Sequence, residues 1–105
     1  MKVNVVANHP GEGNFPTFAK GTAVILGEAC THFLHWYACD IEGHQTYVPE
    51  NFVHDGKLTR DYNPTELVQE VGDILELREI VYAWLVATNE NGITGWIPAE
   101  AVVSI

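Results

Sequence analysis

The feature that most constrains this chain is a duplication. Residues 36–53, WYACDIEGHQTYVPENFV, are written again with substitutions as residues 84–103, WLVATNENGITGWIPAEAVV. Trp36 precedes Pro49 by 13 positions and Trp84 precedes Pro98 by 14. Upstream of each, a glycine leads into an apolar stretch: Gly21 before Ala23–Leu26, and Gly72 before Ile74–Leu77. The equivalent Gly, Trp and Pro residues lie 51, 48 and 49 positions apart, so the repeat is about half of the 105 residues. Two copies of one supersecondary unit therefore have to be accommodated before any single residue is interpreted.

Each copy carries short β-branched and aromatic runs separated by turn residues, which is the pattern of antiparallel strands. In the first copy the strands are expected over Lys2–Asn8, Ala23–Leu26, Trp36–Ile41 and His44–Val48, with a last short strand at Phe52–Val53. Glu42-Gly43 forms a hairpin turn, and Pro49 ends a strand because it has no N–H for the ladder. The second copy is expected over Leu58–Tyr62, Asp73–Val81, Trp84–Thr88 and Ile93–Ile97, with Asn91-Gly92 suited to positive φ in a tight turn. No sustained helical period occurs. The expected fold is all-β: two consecutive small antiparallel barrels, residues 1–56 and 57–105, each near the lower limit for a core of its own. Only His54-Asp55-Gly56-Lys57 separates them, a connection too short to be a flexible tether, so the barrels are expected to be rigidly joined.

Composition narrows the partners. Five Lys and Arg face fourteen Asp and Glu, for a net charge of −9. Such a field repels phosphate backbones and anionic lipid, so neither nucleic acid nor membrane is an expected partner, whereas basic protein segments are. At 47 % hydrophobic and 18 % charged, the chain has apolar surface to spare for an interface between the two units or with another chain. Only two Cys occur, no signal-peptide-like apolar h-region follows Lys2, and no run reaches the length of a membrane span, so a cytoplasmic setting is expected.

The ordered residues resemble the Src homology 3 (SH3) domain, twice over. The second copy matches that family's pattern at Asp61-Tyr62, Leu67, Gly72-Asp73, Trp84, Ala87, Gly95-Trp96-Ile97-Pro98 and Val102. The first matches at Phe18, Gly21, Trp36, Cys39, Tyr47-Val48-Pro49, Phe52 and Val53. The resemblance implies SH3-like barrels that bind proline-rich or basic segments in a groove walled by aromatics, on which a polyproline helix docks. It assigns Trp36, Pro49 and Phe52 to the first groove and Tyr62, Trp84 and Pro98 to the second. In the first, Asn8 stands where a first-strand Tyr is expected. In the second, Ala101 replaces the last aromatic and Arg60 an earlier one. Either Glu66 or Glu70 is placed to meet a basic ligand residue in the second groove, and Glu12 in the first.

Other chemistry is poorly served. The single Ser104 is next to the C-terminus, and no phosphate-binding loop or nucleophile with a convergent His and carboxylate occurs, so no enzyme is expected. Cys30, His32, His35 and Cys39 have metal-ligand chemistry. However, Cys39 aligns with the inward position of Ala87, and a hairpin centred near His32-Phe33 sets Cys39 opposite Leu26 rather than Cys30. Neither a zinc site nor a disulfide is therefore expected, nor any cofactor. The function implied is a non-catalytic module that binds a protein or peptide. The alternatives are an assembly role, with each groove filled by the neighbouring barrel or by a second subunit in a homo-oligomer, and a cell-wall-directed bacterial SH3-like module.

Overall fold

The computed structural model describes residues 1–11 and 13–105. Among these, ten strands follow in order: β1 (Lys2–Val5), β2 (Ile25–Ala29), β3 (Trp36–Ile41), β4 (His44–Pro49), β5 (Val53–His54), β6 (Lys57–Leu58), β7 (Ile74–Val81), β8 (Trp84–Thr88), β9 (Thr94–Pro98) and β10 (Val102–Ser104). Every strand pairing is antiparallel, so the molecule is all-β, as its period-two patterning requires. A single 3-10 turn follows each repeat proline, over Glu50–Phe52 and Ala99–Ala101.

The chain divides into two compact units. Unit 1 is discontinuous, Met1–Asn14 with Thr65–Ile105, and unit 2 is Phe15–Pro64. Unit 1 contains a five-stranded sheet in the order β10-β1-β7-β8-β9. Its centre is β7, and β1 lies between β7 and β10, where Val3 faces Leu75 on one side and Ser104 on the other. Val3 and Val5 point to one face of that strand and are buried, packing in a core with Leu67, Leu75, Leu85 and Ile97. Across β8, Leu85 and Ala87 turn inward while Val86 and Thr88 turn away, the alternation that lets one face close over this core.

Unit 2 contains a three-stranded sheet, β2-β3-β4, and a hairpin, β5-β6. Cys39 and Ile41 share one face of β3 with Val48 of β4, and all three are buried. The β3–β4 turn is Glu42-Gly43, at φ 51° and 83°. Positive φ at both central residues gives a two-residue turn whose twist matches that of the flanking strands.

Two expectations from the sequence are corrected. The boundary at 56/57 is not where the chain divides, and the two units are not consecutive. Asp55-Gly56 takes the same paired left-handed conformation, φ 51° and 73°, with His54 opposite Lys57 across it. Residues 54–57 are thus a tight hairpin inside unit 2, not a connection between units. The turn lays Leu58 back beside Val53, and Leu58 N–H donates to the Thr22 carbonyl at 2.9 Å. The segment read as the first strand of the second copy therefore belongs with the first copy. Residues 74–105 are completed instead by β1 from the N-terminus. The reading over Leu58–Tyr62 also shortens, to Lys57–Leu58 plus an isolated bridge at Tyr62. At β8–β9 only Gly92 has positive φ, 81°, and the turn widens because the Asn89 side chain accepts hydrogen bonds from the N–H groups of Asn91 and Ile93, each at 3.0 Å.

This connectivity has a measurable consequence. Val5→Ala, at a fully buried position of β1, is expected to cost about 2 kcal/mol. By amide hydrogen exchange, the lost protection is expected at Leu75, Leu85 and Ile97 and not at Ile41 and Val48. Loss centred on residues 15–64 instead would refute the assignment of β1 to unit 1.

Candidate functional site

Of the six residues singled out from the sequence, four come together in unit 2. Trp36 opens β3 and lies opposite Pro49, the last residue of β4. His35, at φ 69°, precedes the tryptophan, and its carbonyl accepts the N–H of Glu50 at 2.8 Å, which pins the start of β3 to the end of β4. Phe52 follows in the 3-10 turn. Tyr62 arrives from the β6 side: its N–H and carbonyl exchange hydrogen bonds with Phe18 at 2.9 and 2.8 Å, and its hydroxyl donates to the Tyr47 carbonyl. The Phe52 and Tyr62 rings meet edge to face, 89° apart with centroids at 5.5 Å. Arg60, read as a replaced aromatic, lays its guanidinium 4.4 Å from the Phe52 ring centroid.

Tyr62 therefore joins Trp36, Pro49 and Phe52, not Trp84 and Pro98. The Asp55-Gly56 turn brings Tyr62 to Phe18 and Phe52 from the far side of the repeat boundary. All four side chains are buried, with Trp36 at 5 %, Phe52 at 2 % and Tyr62 at 3 % exposure. Nothing in the local sequence signals this covering.

Trp84 and Pro98 face each other in unit 1, β8 against β9. The tie seen in unit 2 recurs: Ala83, at φ 69°, precedes Trp84, and its carbonyl accepts the Ala99 N–H at 2.9 Å. Ala101 is buried in the unit 1 core, so the last aromatic is replaced by a packing residue. Trp84 remains partly exposed. The His9 ring, from the segment that follows β1, stands edge-on to Trp84, 76° apart with centroids at 5.9 Å. The same imidazole is 2.8 Å through Nε2 from Glu66 Oε1, and both side chains are 15 % exposed. The carboxylate is carried there by the arm 65–67, which lies against β9 through an N–H bond from Leu67 to the Trp96 carbonyl at 2.8 Å. Gly95 permits the approach, because a Cβ there would be 3.0 Å from the Thr65 carbonyl oxygen. Asn8 is not in a groove wall; its side-chain oxygen accepts the Val71 N–H at 2.8 Å. Glu12 lies outside the described residues.

Cys30 and Cys39 are free thiols, and Cys39 is opposite Leu26, the register expected from the hairpin at 32–33. Among the described residues, no group of three or more His, Cys, Asp or Glu is placed to hold a metal ion. Burial, with smaller contributions from Asp40 and Cys30, pushes the Cys39 thiol up to about 12. Burial raises Cys30 as well. Neither thiol is poised as a nucleophile near neutral pH. No helix among the described residues is long and apolar enough to cross a membrane. No protein-family model, no curated protein and no solved structure matches the chain.

Two outcomes follow from these contacts. Tyr62→Phe, which deletes the bond to Tyr47, is expected to destabilise the protein by about 1 kcal/mol in chemical denaturation, with the loss of amide protection in unit 2. Cys39 binds its proton more tightly folded than unfolded, so its contribution to stability is complete below the ordinary thiol pKa and is lost as pH rises toward about 12. Melting temperatures of wild type and Cys39→Ala between pH 8 and pH 11 should therefore converge; a constant difference would contradict the burial of the thiol.

Proposed function

We propose that the chain is a non-catalytic protein-binding module of two SH3-like barrels, and that its ligand-facing surface is the Trp84 face of unit 1, which receives a basic segment of a partner protein. The observation that carries this reading is the grouping of Trp84, His9 and Glu66. A partly exposed indole stands beside a carboxylate, and one imidazole touches both. A Lys or Arg side chain arriving there can stack on the indole and take the place of His9 on Glu66, forming a charge-assisted hydrogen bond. The net charge of −9 favours the encounter with such a segment. Proline-rich segments with a basic residue fit the same surface through the Trp84 indole alone, because Pro98 opposite it is buried. In the SH3-like reading, β1 takes the place of the first strand for unit 1, and the segment through β6 to Tyr62 does so for unit 2. The two free thiols suit the cytoplasmic setting that belongs to this proposal.

Burial of Trp36, Pro49, Phe52 and Tyr62 favours a second role for unit 2. Its aromatic set, complete in composition, is covered in the chain itself and serves assembly rather than ligand capture.

The test is titration of isotope-labelled protein with a twelve-residue peptide repeating Pro-Pro-Lys and with one repeating Gly-Ser-Lys. The Trp84 indole and the His9 ring are expected to shift, with the Trp36 indole still, and Glu66→Gln is expected to weaken binding about tenfold. A Trp36 indole that shifts while Trp84 stays fixed would move the site to unit 2. Both indoles fixed at millimolar peptide would remove peptide binding at these aromatics altogether.

A further inference from the structure

We infer that the outer edge of β2 in unit 2 is a docking edge for an extended, basic and apolar segment of a partner protein, which adds to the sheet as a fourth strand. β2 ends the order β2-β3-β4, and its backbone pairs with β3 alone. Among the described residues, Ile25–Ala29 makes no backbone hydrogen bond outside that sheet. All five of its residues are exposed, including Ile25 at 70 % and Leu26 at 48 %. An aliphatic edge strand with open N–H and C=O groups is a template for strand addition, and proteins usually blunt such edges with charge.

The duplication shows the equivalent edge covered in the other unit: β7, the counterpart of β2, is flanked by β1 and β8, with Glu76 opposite Lys2. At an offset of 51 residues, β7 carries Glu76 and Arg78 where β2 carries Ile25 and Gly27. Arg78 extends over β8 and donates from Nε to Thr88 Oγ1 at 3.0 Å. At Gly27 there is no side chain, and the backbone lies so close to β3 that a Cβ would be 3.2 Å from the Ala38 carbonyl oxygen.

Charge selects the occupant. Between Lys20 and Lys57 the chain has no Lys or Arg. The sheet instead presents Glu28 on the edge itself, Asp40 opposite Ile25, and Glu42 in the β3–β4 turn. Asp40 is partly engaged, accepting from Gly43 N–H at 2.9 Å and from the Gln45 amide, whereas Glu28 is exposed on the edge strand itself. A strand that alternates Lys or Arg with aliphatic residues satisfies the backbone, covers Ile25 and Leu26, and pairs with these carboxylates. A second copy of the chain is the poorer fit. Antiparallel self-pairing about Gly27 would set Glu28 against Leu26 with no opposite charge, and would join two molecules of charge −9.

The probe is a synthetic peptide repeating Lys-Val, compared with one repeating Glu-Val and with a Lys-Val peptide in which alternate valines are replaced by proline. Added to isotope-labelled protein, the Lys-Val peptide is expected to shift the amides of Ile25–Ala29. The Glu-Val and proline-bearing peptides are expected to leave them in place. Glu28→Lys is expected to weaken binding about tenfold, with unchanged Ile41 and Val48 amides confirming that the fold is intact. Shifts confined to the Trp84 face, undiminished binding by Glu28→Lys, or no shift at millimolar peptide would each overturn the proposal. So would β2 shifts that grow with protein concentration without peptide, accompanied in light scattering by a doubling of mass, since the occupant would then be a second copy.

Discussion

The tight turn at Asp55-Gly56 decides how this duplicated chain is apportioned. Two residues at φ 51° and 73° reverse the backbone and set His54 against Lys57. Aspartate tolerates the left-handed region and glycine enters it without a Cβ penalty, so this pair is among the most favourable two-residue hairpin turns. Once the chain has reversed, Leu58 must pair with Val53, and Tyr62 follows to Phe18 and Phe52. Unit 1 then has no neighbouring strand on that side of β7, and β1 fills the position.

The consequence for chemistry is that residues of one repeat complete the other. Phe52 and Tyr62 lie in different copies of the pattern yet make one edge-to-face pair, with Arg60 held against the same phenylalanine. In unit 1 the corresponding position after the proline is Ala101, which packs inward with Val5 and Leu75. The two units therefore share a Trp–Pro cross-strand pair, pinned in each by a carbonyl from a residue at φ 69°, and differ in what surrounds it. In unit 2 the tryptophan is buried, and the Phe52–Tyr62 edge-to-face pair follows the proline. In unit 1 an imidazole and a carboxylate stand beside a more open indole, which is why the basic-ligand reading rests there.

Much of the strand framework was legible. β3 and β8 begin and end where the apolar runs do, because Trp36 and Trp84 follow residues with positive φ and the runs alternate cleanly afterward. The Glu42-Gly43 turn and the pairing of Cys39 with Leu26 also follow from local pattern, since a hairpin fixes its register through its turn. The Asp55-Gly56 turn was equally visible as residues. The repeat boundary falls on it, and a boundary and a hairpin carry the same turn propensity. His9 carried no such signal; its place beside Trp84 and Glu66 depends on contacts 57 and more residues away.

By itself, the sequence determined the all-β class, the duplication, the central hairpin of each copy and the acidic surface, because these rest on period-two patterning, local turn chemistry and charge counting. Tertiary structure alone decided which copy owns β1 and β6, that Tyr62 joins Phe52, that Trp36 is covered while Trp84 stays partly open, and that β2 is left as a bare edge. Those outcomes depend on long-range strand pairing. Two copies of one pattern offer nearly equivalent local partners, and only the assembled backbone hydrogen bonds distinguish them.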